Sequence, residues 1–322
     1  MAGESPVLNY SGSRPGEAAG AQSARRRARR TPQRREAIAG YLFLLPNLAG
    51  FVVFSLVPIV AAFGLTLTDW SLAKPPRFVG LQNFGAVAAD PLFWKTAGNS
   101  VYYALGAVPI GVFLAFWLAL LLNRKMRGIV FFRTVFFLPH VTLVVAIAIV
   151  WQWLYHPQVG LFNYLLSFVG VRGPNWLGNT HWAMPALIIM SNWMGIGYAM
   201  LVFLAGLQGI PDEYYEAAKI DGATALDRVR HITVPLISPV TFFVLVTSFI
   251  GAMQGFDQFY IMTQGGPAFA TTTVVMYIFQ NGFSFFKMGY AATIAVLLFV
   301  AIFVITIVQW RLARTWVYGF DS

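Results

Sequence analysis

The chain has 322 residues, 58% of them hydrophobic and 11% charged, with no cysteine and a formal net charge of +10. Soluble domains carry about 25% charged residues, so this chain cannot cover itself with polar surface and reads as an integral membrane protein. The missing thiols exclude disulfides, thiolate metal sites and a cysteine nucleophile.

The first 38 residues are the most basic stretch. Eight of the 22 Lys and Arg residues lie within the first 40 positions, clustered around Arg25, Arg26, Arg27, Arg29, Arg30, Arg34 and Arg35. Gly, Ala, Ser and Pro surround them, a composition of disorder. The expectation is a disordered cytoplasmic tail over 1–38 that touches anionic membrane lipid and holds the first span's orientation. A nucleic-acid role would need interleaved aromatics or a folded scaffold, and neither accompanies the cluster. A secretory signal is excluded too. The basic run lies far from the start, and the apolar stretch behind it is too long and lacks a small-residue cleavage site.

A bilayer core of about 30 Å needs roughly 20 apolar residues per helix. Runs of that kind occur at 41–68, 99–122, 130–154, 183–207, 240–263 and 289–311. They predict an all-α integral membrane fold of six transmembrane helices. Pro46 and Pro58 interrupt the first run and predict a kink there. Basic residues set the orientation: seventeen Lys and Arg fall on the side of the tail, against Lys74, Arg77, Lys95, Arg172 and Lys287 on the other. Positive charge stays inside, so both termini are expected in the cytoplasm. Trp151, Trp153, Trp176 and Trp182 near the outer boundary read as interface anchors.

The connection at 208–239 differs from the others. From Gly209 to Pro235 it carries five of the chain's twelve acidic residues against three Lys and Arg. Pro211 before Asp212 and Glu213 opens a helix, with fixed φ at the first turn and negative charge at the positive dipole end. Gly222 supplies a stop. Thr224 and Asp227 fit a capping box that opens a second short helix, and Pro235 is expected to end it. A lipid-bound amphipathic helix favours a basic polar face. This acidic one points to a protein partner.

The same stretch resembles the EAA loop of ABC importer permeases. Glu216, Ala217 and Ala218 are followed four residues on by Gly222, then by Ile232 and by Val234-Pro235 where the family has Leu-Pro. Phe78-Val79-Gly80-Leu81-Gln82-Asn83-Phe84 is similar to a motif of carbohydrate permeases of the maltose and glycerol-phosphate kind, as are Thr263-Gln264-Gly265-Gly266-Pro267 and Gly289-Tyr290-Ala291-Ala292. The resemblance runs from about residue 41 to the C-terminus. It implies the type I ABC importer permease fold, with a first helix and external loop at 39–94, a permease core at 95–312, a cytoplasmic tail at 313–322, and the elbow as cytoplasmic coupling helix. Glu216, Ala217, Ala218, Asp221, Gly222, Ile232 and Pro235 would then meet an ATP-binding subunit. The implied partners are a second permease subunit, ATP-binding subunits and an extracellular or periplasmic solute-binding protein, in a bacterial cell membrane.

The chain has no Gly-x-x-x-x-Gly-Lys-Ser/Thr phosphate cradle, so ATP hydrolysis is expected on another subunit, with no cofactor or metal here. The four histidines are scattered and read as structural. Polar groups within spans are costly and mark a pathway or a helix contact. Asn192, Gly195 and Tyr198 recur at i, i+3, i+6 in the fourth span, and Gln254, Asp257 and Gln258 at i, i+3, i+4 in the fifth. Solute contact and helix packing stand level for them, and Asp257 has the further option of pairing outward. Gly195 and Gly197 read as close-packing residues. The rival class, an ion-coupled carrier acting alone, would show internal repeats and buried ionisable groups; no clear repeat is visible.

Overall fold

The computed structural model describes residues 36–124 and 127–319; the basic tail falls outside these up to residue 35. The chain divides into two compact units, one ending at Ala61 and one beginning at Ala62. Among the described residues, four helices are long and apolar enough to cross a membrane: α1 (Glu36–Leu65), α3 (Pro91–Leu122), α7 (Ala183–Gln208) and α13 (Met288–Ala313). Even the 26 residues of α7, at about 1.5 Å each, exceed a hydrocarbon core of about 30 Å. Between α1 and α3 lie a two-residue ladder, β1 (Thr68–Asp69) with β2 (Arg77–Phe78), and the short α2 (Gln82–Ala88).

The third and fifth apolar runs are not single straight spans. The third forms α4 (Ile129–Val141) and α5 (Val144–Leu154), bent by 98°. Thr142 and Leu143 adopt extended ψ values of 145° and 126°. The Thr142 hydroxyl caps the broken end by donating to Leu138 O at 2.8 Å. Pro139 and the β-branched pair Val141-Thr142 weaken the helix here. The fifth run ends at Met253 in α10 (Ser238–Met253), unwinds over 254–256 and resumes as α11 (Asp257–Met262). Gln254, Asp257 and Gln258 therefore do not share one helix face. Gly255 permits the break: a Cβ there would press to 3.1 Å on Gln258 and Phe259, while its carbonyl accepts from Thr273 Oγ1 at 3.2 Å.

Pro58 does not end α1, and Pro235 lies one residue before the end of its helix, where a stop was expected. α1 passes through Pro58, and α9 (Ala225–Leu236) passes through Pro235. In each case the preceding turn is widened: Val57 N–H reaches Val52 O, and Val234 N–H reaches Val229 O, five residues back. A proline lacks the donor and crowds the carbonyl four residues earlier; the extra residue in the turn removes that conflict. The chain bends by 64° directly after Leu236, at Ile237 and ahead of Pro239.

Packing centres on α3 against α7, with α4 and α10 alongside. Helices in lipid gain little from apolar burial and depend on close contact. Gly197 provides it, since a Cβ there would overlap the Phe136 carbonyl of α4. Gly195 does not: its Cβ direction is open. The tryptophan reading needs correction at Trp151. It is buried, with ring centroids 5.3 Å from Tyr155, 5.6 Å from Phe162 in α6 (Leu161–Phe168) and 5.5 Å from Trp193. Trp176 likewise packs on Tyr155 and donates to Asn163 Oδ1 at 2.7 Å. Trp153 and Trp182 are exposed.

The short resemblance motifs hold this scaffold together. Asn83 donates to the carbonyls of Thr66 and Thr68 at 2.8 and 2.9 Å. A Cβ on Gly289 would overlap Thr68 O, so the start of α13 lies directly against that strand. Asp90 caps α3 by accepting from Leu92 N at 2.9 Å. Its other oxygen accepts the hydroxyls of Tyr290 and of Tyr277, in α12 (Val274–Phe279). The 263–272 loop is tied to α3 through Lys95 and Asn99, which donate to Ala268 O and Phe269 O.

Candidate functional site

The turn of the elbow is built by local rules. α8 (Asp212–Ile220) carries Asp212 and Glu213 in its first turn and Lys219 in its last, each complementing the helix dipole. It ends in a Schellman motif: Gly222 sits at φ +79°, its N–H donates to Lys219 O at 3.1 Å, and Ala223 N–H donates to Ala218 O at 2.9 Å. Thr224 then opens α9 with the expected capping box. Asp227 N–H donates to its hydroxyl at 3.3 Å, and Thr224 N–H donates to Asp227 Oδ2 at 3.0 Å. Arg228 adds a bond of 2.8 Å to Ala223 O.

Glu216, Ala217, Asp221 and Gly222 are exposed, whereas Ala218, Ile232 and Pro235 are half-buried. Two apolar side chains flank the turn and point outward: Ile220 is 87% exposed and Leu226 69%. An apolar pair held on a polar, rigid turn is a contact surface in form. Sequence reading passed over both, although apolar residues beside a helix stop are visible there. The α3–α4 connection lies beside the elbow, because Arg124 and Arg133 line a cavity of about 540 Å³ together with Gln208, Asp212 and Tyr215.

The second constellation is a cavity of about 600 Å³ walled by α3, the α4–α5 break, α7 and the α10–α11 break. Asn192, Gly195, Tyr198, Gln254 and Asp257, singled out from sequence in two separate spans, all line it. Asn192 Nδ2 donates to Ile188 O at 3.0 Å within its own helix, which leaves the amide oxygen free of that bond. The Tyr198 ring stacks on His140, with centroids 4.9 Å apart and planes 22° apart. Gln258 turns away to donate to the buried Tyr103 hydroxyl at 3.1 Å. The Asp257 carboxylate is exposed and forms no hydrogen bond or ion pair among the described residues.

Sequence reasoning missed His140, Tyr103, Thr247 and Ser248 in the wall. Only the fold brings His140 of α4 to Tyr198 of α7. The arrangement offers hydroxyl and amide groups, two stacked rings and one carboxylate. Together they suit a hydrated, polyhydroxylated guest and supply no paired nucleophile and base.

Helices of membrane-spanning length, two broken pairs around an internal cavity and an exposed helical elbow define a multi-pass membrane permease. The chain belongs to the binding-protein-dependent transport system inner membrane components, whose family model matches residues 107–317. It is 35% identical over 281 residues to the trehalose/maltose transport system permease protein MalF of Thermococcus litoralis, covering 87% of this chain and 95% of that one. It is 36% identical over 283 residues to the lactose transport system permease protein LacF of Rhizobium radiobacter, covering 86% and 94%. The fold matches a chain of a bacterial ABC transporter involved in import of the acidic polysaccharide alginate. The TM-score is 0.78 and the identity 23%, over 89% of this chain and 99% of that one. These likenesses bear out the type I ABC importer permease fold.

Proposed function

We propose that this chain is the permease subunit of an ATP-binding-cassette importer. It carries a sugar or related polyol or glycerol-phosphate solute across the bacterial cytoplasmic membrane, driven by ATPase subunits that grip the elbow. The observation that carries this reading is the preorganised turn at Gly222, which presents Glu216, Ala217, Asp221, Ile220 and Leu226 outward on a braced scaffold. Family membership and the names of the sugar permeases it resembles support the cargo class.

Hydrolysis belongs to separate ATP-binding subunits, and a second permease and an external solute-binding protein complete the assembly. The elbow faces the cytoplasm together with both termini. The cavity flanked by Arg124 and Arg133 supports that sidedness, because these cations were counted on the tail's side and stand beside Asp212. ATPase closure pushes α8 and α9, and the motion passes into α7 and α10, which wall the solute cavity. Asn192, Gly195, Tyr198, Gln254 and Asp257 contact the solute there. An ion-coupled carrier acting alone has no such elbow to explain and gains no support from the family match.

The test uses the assembled complex in proteoliposomes. Glu216→Ala and Gly222→Val should each abolish solute-stimulated ATP hydrolysis and uptake while the permease still assembles. Normal coupling in both variants would remove the elbow from the mechanism, and uptake by the chain alone would remove the importer assignment.

A further inference from the structure

The solute cavity is electrically one-sided. Its titratable lining consists of Tyr103, His140, Tyr198 and Asp257, and no Lys or Arg is among the residues that wall it. The remaining polar wall is Ser191, Asn192, Thr247, Ser248, Gln254 and Gln258, all uncharged. Asp257 opens the six-residue α11 just after the chain break, exposed and without a hydrogen bond or ion pair among the described residues. Asp90 differs, being satisfied by two tyrosine hydroxyls and a backbone amide.

We propose that Asp257 makes this cavity select against anionic cargo, so that the transported solute is an uncharged carbohydrate and not a uronate, sulfonate or phosphate ester. This rests on the cavity being the solute pathway. A carboxylate on the cavity wall acts on a charged guest that comes within a few ångströms of it. An anionic guest would meet a like charge and no cationic side chain from this chain to compensate, which is discrimination by repulsion. A neutral sugar meets the opposite situation. Its hydroxyls donate to the Asp257 carboxylate, exchange hydrogen bonds with the amides of Asn192 and Gln254, and its C–H face lies on the stacked His140–Tyr198 rings. The glycerol-phosphate class is thereby excluded from the cargo.

The native chain contains no cysteine, so one introduced thiol in it reports the potential directly. In the assembled complex, Gln254→Cys is treated with methanethiosulfonates bearing either a trimethylammonium or a sulfonate group, with rates normalised to a free thiol in solution. The cationic reagent should react about tenfold faster, as expected for one negative charge a few ångströms away acting oppositely on the two reagents. That preference should fall towards unity when Asp257→Asn is added and persist with Asp257→Glu, which also guards against a misfolded Asn variant. A ratio near one, a reversed ratio, or one indifferent to Asp257→Asn would overturn the charge assignment. Reaction at an Ile220→Cys control with none at Gln254→Cys would instead overturn the pathway reading, and the proposal with it. In the uptake assay, a neutral disaccharide should be carried and its uronic acid counterpart and glycerol 3-phosphate refused. Efficient uptake of either anion would sink the proposal while leaving the pathway intact.

Discussion

The hydroxyls of Tyr215 on α8 and Thr233 on α9 share a hydrogen bond of 3.1 Å across the elbow. Thr233 is buried and also donates to Arg228 O, at 3.3 Å. This side-chain pair braces the angle between two helices that the backbone joins through residues 221–224.

Tyr215→Phe removes that brace and little else. A net hydrogen bond is worth about 0.5–1.5 kcal/mol, so the permease should fold and assemble normally. Coupling should suffer: the ratio of solute transported to ATP hydrolysed in proteoliposomes is expected to drop two- to tenfold, roughly that energy expressed as a rate factor. An unchanged ratio would show that the angle is set elsewhere.

Gly222→Ala tests the turn itself. At φ +79° a side chain costs about 1–2 kcal/mol, and open space surrounds the position, so strain and not collision is the expected effect. Hydrogen exchange should rise in 212–228 and leave α3 and α7 unchanged, with uptake reduced severalfold.

The two glycines of α7 should behave oppositely. Gly197→Ala drives a methyl into the Phe136 backbone carbonyl. Separating α4 from α7 should lower the melting temperature of the detergent-solubilised protein, in line with overpacking costs of about 1–3 kcal/mol. Gly195→Ala meets open cavity and should leave melting alone while changing the apparent affinity for solute. Equal melting behaviour of both variants would refute the distinction.

Asp90 gives the fold an acid limit. Burial pushes its carboxyl up, but the hydroxyls of Tyr277 and Tyr290 and the amides of Leu92 and Phe93 outweigh that and hold it below the ordinary carboxylate value. A depressed folded pKa means the stabilisation is fully present above the unfolded value of about 3.9 and is lost as pH falls through the lower folded value. Melting temperature should therefore decline below about pH 4. Asp90→Asn should be less stable at neutral pH and lose this part of the decline. A wild-type decline of equal depth in the variant would assign it to other carboxylates.

Much of this was legible in the sequence where local chemistry dominates. Pro211, the paired acids, Gly222 and the Thr224–Asp227 box each act on the nearest few residues, and the elbow follows from them in detail. The long spans follow from hydropathy for the same reason. What escaped was tertiary. A hydropathy window averages straight through Thr142–Leu143 and Gln254–Phe256, and unwinding at the second depends on distant neighbours such as Thr273. His140 gave no signal, since its partner Tyr198 lies 58 positions away and meets it only in the folded chain. The prolines gave only part of their local effect: one extra residue in the preceding turn accommodates each of Pro58 and Pro235, which a residue pattern does not reveal.

The break at 254–256 has a consequence for how the cavity tolerates change. Irregular backbone survives in a membrane protein where it borders protein or a wet lumen, and this interruption lies in the cavity wall. Part of the wall's hydrophilicity therefore resides in the main chain, which no amino-acid replacement erases. Side-chain turnover at Tyr198, Gln254 or Asp257 can remodel the lining without turning it oily.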